Sequence, residues 1–376
     1  DLSQRDKDDL IDFYSFLTAE GMSTGRVAKY LNHLWKITQW LDCTFREVEK
    51  KDIIILVSKI EGKDYSFHTK HDYKVVIKRF FKWLRDTKDY PPEVEWLKTT
   101  LKKNKIKLPE ELITQKEVEK LIGCAHHPRD KAIIAFLYES GCRIGEVLTL
   151  KVKHVTFDDL GGKVLVRGKT GMRKIRVISS VPYLATWIKN HPKGDCPDAD
   201  LWPVIGTRNK GEAVKYSNIN KLLRTVAGRA GIKKKVNPHM FRHSRATHLA
   251  KHLTEAQMNQ YFGWVQGSDM PSTYVHLSGR DVDGAILKLH GMKEDKENEK
   301  EEMSPRKCKR CGELNASKCK FCSRCGSPLE VKSMFELENK RKEMDDLMSN
   351  LMKDPETQRF LYNKMRELNT KPQVKS

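Results

Sequence analysis

Apolar residues recur at helical spacing over most of this chain, and one stretch breaks that rule. From Lys163 to Ile178 they alternate, rich in Val and Ile, on both sides of Gly168, Lys169, Thr170 and Gly171. A period of two around a glycine-flanked turn is a β-hairpin signal. A chain that is helical elsewhere and carries one hairpin is predicted to be mainly α with a small β-sheet. At 376 residues it is too long for a typical single core, so two or three domains are expected.

The first expected domain, residues 1–98, reads as an all-helical module. Leu10, Phe13, Tyr14 and Leu17 share helical spacing, as do Val27, Tyr30, Leu31, Leu34 and Ile37. After the short apolar run Ile53 to Val57 a third set follows, with Val75, Val76, Phe80, Phe81 and Leu84. The basic, glycine-free stretch LKTTLKKNKIKLP then reads as a linker over 99–109 that could lie along phosphates.

In the second domain, 110–292, Thr114 caps a helix holding Val118, Leu121 and Ile122, and an apolar helix from Asp130 ends at Gly141. A helix from Ile144 to Leu150 precedes the hairpin, and helices return near Ile219 to Ala230 and Met240 to Leu253. Asp281, Val282, Ile286 and Leu289 form a short amphipathic set. Residues 293–305, with KEDKENEKEE, read as a charged tether, 306–330 as a cysteine-rich module and 331–376 as C-terminal helices interrupted at Pro355. Leu337, Met344, Leu347 and Leu351 lie before that proline and Phe360, Leu361, Met365 and Leu368 after it, too few heptads for a coiled coil.

Lys and Arg number 71 against 50 Asp and Glu, a net charge of +21. An excess of that size suits a polyanion, because each neutralised phosphate releases condensed counterions. Nucleic acid is favoured over an anionic membrane, since no apolar run is long enough to span a bilayer and no terminal h-region is present. A soluble, cytoplasmic protein without membrane contact is expected. Arg26, Lys29, Lys70, Lys74, Lys78, Arg79 and Lys82 of the first module are as suited to DNA-backbone contact as to a solvated rim. The chain opens on Asp1 rather than a methionine, so a preceding segment is expected.

The chemistry concentrates in the second domain. In NPHMFRHSRATHL, Asn237 and Pro238 suit the cap and first residue of a helix carrying His239 and Arg242 one turn apart. A helix N-terminus is where phosphate binds most readily. The segment YESGCRIGEVLTL sets Arg143 after a helix-ending glycine, with Glu146 three residues on to hold the guanidinium. The hairpin tip presents Lys169, and GWVQGSDMPSTYVHL supplies Trp264 and Tyr274. Two arginines, a lysine, a histidine, an indole and a tyrosine can together clamp and attack a phosphodiester.

In this ordered set the chain resembles the tyrosine recombinases, the phage-integrase family, over roughly Asp1 to His290. The resemblance implies a helical core-binding (SAM-like) domain followed by a mixed α+β catalytic domain. It implies Tyr274 as the nucleophile that leaves a 3′-phosphotyrosine, and Arg143 and Arg242 as bidentate clamps on the non-bridging oxygens. Lys169 would protonate the leaving 5′-oxygen, His239 would assist proton transfer, and Trp264 would donate a hydrogen bond. No cofactor is needed for that chemistry, because the cations of the protein stabilise the charge.

The hairpin reads GKTG where many relatives have GKG, so Lys163 and Lys174 stay open as alternatives to Lys169. His243 and His248 read as helix-packing histidines, Tyr261 as core packing and His276 as support. The implied partner is double-stranded DNA with a specific site, bound by a homotetramer whose protomers are monomers or weak dimers when free. The helix from Asp281 to Leu289 would dock into a neighbour. Integration or excision of a mobile element is the expected role, with chromosome-dimer resolution or a catalytically silent DNA-binding protein as alternatives.

Five of the nine cysteines crowd between Cys308 and Cys325. Cys308 and Cys311 precede Gly312, and Cys322 and Cys325 precede Gly326, two CxxCG knuckles that predict a structural, tetrahedral four-cysteine Zn2+ site resembling a short zinc ribbon. Cys319 lacks a following glycine and is expected to stay unligated.

Overall fold

The computed structural model describes residues 2–100, 111–168, 171–207, 209–278, 290 and 303–369, without the side chains of 276–278 and 367–369. It is mainly helical with two small antiparallel sheets, and the chain divides into two compact units, Asp1–Lys105 and Ile106–Ser376.

The first unit contains α1 (Gln4–Ala19), α2 (Thr24–Thr38), α3 (Lys50–Glu61), α4 (Phe67–Leu84) and the short α5 (Pro92–Glu95). Each long helix turns its apolar stripe inward, so that Phe13, Leu34, Ile53 and Phe80 meet in one core. The run Ile53 to Val57 is a turn of helix: within it Ile53, Leu56 and Val57 are buried while Ile54 and Ile55 are half exposed. Leu97, the first residue of the basic stretch, still packs in this core. Lys29 pairs with Asp72, Lys70 and Lys74 with Glu61, and Arg79 with Glu20. Four of the seven basic residues singled out above therefore already have acidic partners.

In the second unit, α6 (Gln115–Cys124) starts from a Thr114–Glu117 capping box. Then comes α7 (Pro128–Ser140), which is buried on every side in its second half because helices and sheet cover it. Gly141 ends α7 in the left-handed region at φ 55°. After α8 (Ile144–Leu148) the chain forms β1 (Val155–Asp158), β2 (Gly161–Gly168) and β3 (Gly171–Val177), in the order β1-β2-β3 with Gly168 opposite Gly171. Val164, Val166, Ile175 and Val177 form its inner face.

The first strand, β1, escaped the periodicity argument because four residues with burial on only one show no alternation. The helix α9 (Val181–Lys189) is announced in the sequence only by Val181, Leu184 and Trp187 at helical spacing and by Pro182 in its first turn. Then follow α10 (Tyr216–Arg229), α11 (Pro238–Leu249), α12 (Glu255–Phe262) and α13 (Met270–Ser278). The expected helix Asp281–Leu289 lies outside the described residues. Among the described residues, no helix is long and apolar enough to cross a membrane.

Met303, assigned from sequence to the tether, is instead buried in the main core of the second unit. The cysteine-rich module carries a two-stranded sheet of β4 (Arg306–Lys307) and β5 (Leu314–Asn315) and leans on the helical body: Leu314 packs against the main core, and Ser317 and Lys318 bind Glu119. The last described elements are α14 (Val331–Lys353) and α15 (Pro355–Asn369), whose apolar residues Met344, Leu347, Phe360 and Met365 are exposed. Pro355 is the first residue of α15, where its missing N–H costs nothing.

Candidate active site

Asn237 caps α11 as its side chain accepts from the Met240 amide at 3.0 Å, and Pro238 fills the first turn. One face of α11 then presents His239, Arg242 and His243. His239, near the helix N-terminus, is exposed. Arg242 is buried, and its guanidinium donates to the Gly141 carbonyl and to the Phe262 carbonyl, both at 2.9 Å. Two carbonyls at the ends of α7 and α12 thus fix one planar fork. The rings of Phe262 and Trp264 lie 5.2 and 5.4 Å from its central carbon. Burial, reinforced by the nearby Arg143 charge, brings Arg242 down to about 10, still protonated at neutral pH.

Arg143 precedes α8 and donates from Nη1 to Gly263 O at 3.1 Å and to Glu146 Oε1 at 3.2 Å. The expected support from Glu146 is present, and it is shared. Arg173 on β3, which carried no signal in the sequence, donates to both Glu146 oxygens at 3.1 and 2.8 Å and to the Tyr261 carbonyl at 2.9 Å. Burial raises the Glu146 carboxyl, but its pairing with Arg173 and Arg143 outweighs that and holds it below the usual carboxylate range. Gly168 presses against the same carboxylate. A methyl group there would lie 2.4 Å from Glu146 Oε1.

That approach sets Gly168, at the end of β2, beside Glu146 and Arg173. Lys169 itself lies outside the described residues. Lys163 pairs with Asp158 on the strand face opposite Val164 and Val166, and Lys174 is exposed on the face opposite Arg173 and Ile175. Neither alternative lysine faces the arginines.

Tyr274 on α13 is buried, and its ring stacks on Trp264 with 5.4 Å between centroids and 4° between planes. Phe262 continues the stack on the other side of Trp264 at 4.8 Å. The phenol hydroxyl lies 2.6 Å from His243 Nδ1. His243 is therefore part of the site and not a packing residue. Its position directly after Arg242 was visible in the sequence, but the pairing depends on how α13 docks on α11. Burial pushes the Tyr274 hydroxyl up, against a lowering pull from Arg242. Tyr261 is packed into the core as read from the sequence, with its hydroxyl on Glu139 O, and the His276 side chain is outside the described set.

Arg143, Arg242, Trp264 and Tyr274 are thus drawn together through the 262–264 turn, with His239 one helical turn from His243 at 6.4 Å between rings. Such a pocket offers two cations to an anion and a tyrosine hydroxyl paired with an imidazole.

Away from it, Cys308, Cys311, Cys322 and Cys325 have their sulfurs all within 4.8 Å of one another. The Cys308–Cys325 and Cys311–Cys322 separations of 3.7 and 3.5 Å are far too long for disulfides, which need about 2.05 Å. They approach the edge of about 3.8 Å that a tetrahedron with Zn–S bonds of about 2.3 Å requires. Gly312 and Gly326 take φ of 76° and 69°, and their amides donate to the Cys308 and Cys322 carbonyls at 2.9 and 3.0 Å, closing the two knuckle turns. Amides of Cys311 and Arg310 lower the Cys308 thiol. Burial opposes ionisation of Cys322, yet amides of Cys325 and Arg324 hold it at about 6. Asn315 Nδ2 also donates to Cys322 Sγ at 3.6 Å. Cys319 lies outside this group and lines a cavity with Tyr183 and Pro128.

Residues 111–280 match the model of the phage integrase family. Tyrosine recombinase XerA of Pyrococcus furiosus is 29% identical over 245 residues, covering 64% of this chain and 79% of that protein. Transposase A from transposon Tn554 of Staphylococcus aureus is 29% identical over 211 residues, 53% of this chain and 57% of the transposase. Among solved structures, the Tn1549 transposon integrase in complex with transposon right-end DNA shares the fold with a TM-score of 0.58 at 16% identity, over 75% of this chain and 99% of the other. The XerH site-specific recombinase bound to palindromic difH substrate does so at 0.56 and 19% identity, over 72% and 82%.

Proposed function

We propose, for a chain whose residues 111–280 match the phage integrase family model and which is an enzyme that breaks and rejoins DNA strands, a site-specific recombination mediated by a 3′-phosphotyrosine on Tyr274. The observation that carries this reading is the convergence of Arg143, Arg242 and Tyr274 on one turn from three distant segments. Arg242, rigid on its two carbonyls, and Arg143, held by Glu146, would grip the non-bridging oxygens and favour the charge that accumulates in the transition state. Tyr274 would attack phosphorus in line with the 5′-oxygen, which Lys169 would protonate as it leaves. His239 would present its ring to the phosphate at the helix N-terminus. Trp264 would orient the nucleophile by stacking as well as by its N–H.

The DNA partner would be a duplex with a specific site, held by a homotetramer, and the setting the cytoplasm. Transposon-encoded relatives favour integration and excision of a mobile element, and resolution of chromosome dimers is the second reading. The four cysteines fit a zinc ion, which would supply structure to the ribbon and take no part in strand cleavage.

The test is trapping on nicked duplexes tiled across the genomic DNA that flanks its coding sequence. An SDS-resistant adduct with wild type and none with Tyr274→Phe is the expected result. Tight binding with no adduct from either would support a silent DNA-binding protein instead.

A further inference from the structure

Resting on that reading, we infer that His243, one helical turn beyond His239, is the base that takes the proton of Tyr274. The Tyr274 hydroxyl and His243 Nδ1 are 2.6 Å apart with the rings 36° from parallel, a distance at which a proton passes directly. Both groups are held in place. Tyr274 is fixed by its stack on Trp264, and His243 by α11, whose neighbouring Arg242 is pinned at two carbonyls. His239 is exposed at the start of α11, on the side where a phosphate would enter. Among the described residues, the titratable groups seen against His243 include Tyr274 from α13 and His239 on its own helix, with Arg242 the residue before it on α11.

A phenol near pKa ~10 is a poor nucleophile at neutral pH, and a neutral imidazole is the base suited to activate it. In the cleavage step the Tyr274 O–H bond breaks and its proton passes to His243 Nδ1. The phenolic oxygen bonds to phosphorus, the bond from phosphorus to the 5′-oxygen breaks, and that oxygen takes its proton from Lys169. In rejoining, the imidazolium returns its proton to Tyr274 as the phosphotyrosine bond breaks. The two histidines therefore divide the work, His239 facing the phosphate and His243 the nucleophile.

The experiment measures single-turnover adduct formation by the full chain on the nicked duplexes above, against pH, for wild type, His243→Gln, His239→Gln and Lys169→Ala. Each is also run on duplexes with sulfur in place of the bridging 5′-oxygen, because a thiolate leaves without a proton. His243→Gln is expected to slow cleavage about 10²-fold or more, within the range for a lost general base. It should lose the rise of rate with pH, and it should stay slow on the sulfur substrate, which relieves Lys169→Ala. Free imidazole should restore cleavage to His243→Ala.

Cleavage by His243→Gln at near the wild-type rate, or its relief by the sulfur substrate, would overturn the assignment and leave the recombinase reading intact. Should the variants not fold, the wild type alone decides, since on the sulfur substrate its rate must still climb through the imidazole range, and a flat profile sinks the inference. Absence of any wild-type adduct would bring down the recombinase reading and this assignment with it.

Discussion

Gly168 and Glu146 approach so closely that a single added methyl on the hairpin would stand 2.4 Å from a carboxylate oxygen. The carboxylate cannot swing aside, because Arg173 holds both of its oxygens and Arg143 one of them. Gly168→Ala is therefore expected to displace the hairpin, and with it Lys169, while the rest of the fold is kept. Cleavage should fall at least tenfold with a thermal midpoint within a few degrees of wild type, read by adduct trapping beside calorimetry.

Glu146 should matter to stability as well as to the site. Replacing it with Ala leaves the largely buried Arg173 without its carboxylate, and breaking a buried pair from one side costs about 3–5 kcal/mol. Urea unfolding of Glu146→Ala measures that loss. The carboxyl is held below its ordinary value in the folded state, so its contribution is present above the unfolded pKa and fades as pH falls through the lower, folded one. The acid limb of a stability profile should accordingly be shallower in Glu146→Gln than in wild type.

Arg242 should not tolerate lysine. An ammonium on a flexible stem cannot donate at once to Gly141 O and Phe262 O and still offer a planar edge to phosphate. Arg242→Lys is expected to reduce cleavage by about 10²-fold or more, in line with loss of a preorganised donor to transition-state charge. Binding to the same duplex, followed by gel shift, should weaken far less.

Trp264 serves Tyr274 through its ring face. Trp264→Ala removes a buried aromatic and both of its stacks, and should destabilise by about 3 kcal/mol while lowering adduct yield. Trp264→Phe keeps a face and is expected to recover most of the stability. If the indole N–H is what counts in cleavage, Phe will recover stability without recovering adduct, so the two measurements made together tell stacking from donation.

For the four-cysteine cluster, metal analysis of purified protein should find one zinc per chain. Cys308→Ser or Cys322→Ser should lose it, and Cys319→Ser should keep it, because Cys319 stands outside the four-sulfur group. Chelation should also loosen the cysteine-rich module from Glu119, which increased proteolysis within that module would report.

Local rules made much of this molecule readable without coordinates. The cap at Asn237, the box at Thr114, the helix stop at Gly141 and the glycine-flanked hairpin each depend on neighbours within a few residues, and periodicity located the main apolar faces. Cysteine spacing picked out the four cysteines whose sulfurs cluster, because a CxxCG knuckle is a local structure. Arg143, Arg242 and Tyr274 could be named from their order along the chain.

Their assembly is another matter. Arg173 gives no hint in sequence that it will share Glu146 with Arg143, since the two arginines are joined only when β3 folds back beside α8. His243 looked like a packing residue because its partner is 31 positions away on a helix whose docking no periodicity encodes. Glu139 likewise becomes an anchor for the amides of Ile178, Ser179 and Ser180 only after α7 is buried beneath the end of the sheet. Sequence by itself determined which residue types stand at which local turns and caps, because short-range sterics and hydrogen bonding decide those. Tertiary structure decided which side chains share a carboxylate or a proton, because such pairs form only when segments far apart in the chain are packed to within hydrogen-bond reach.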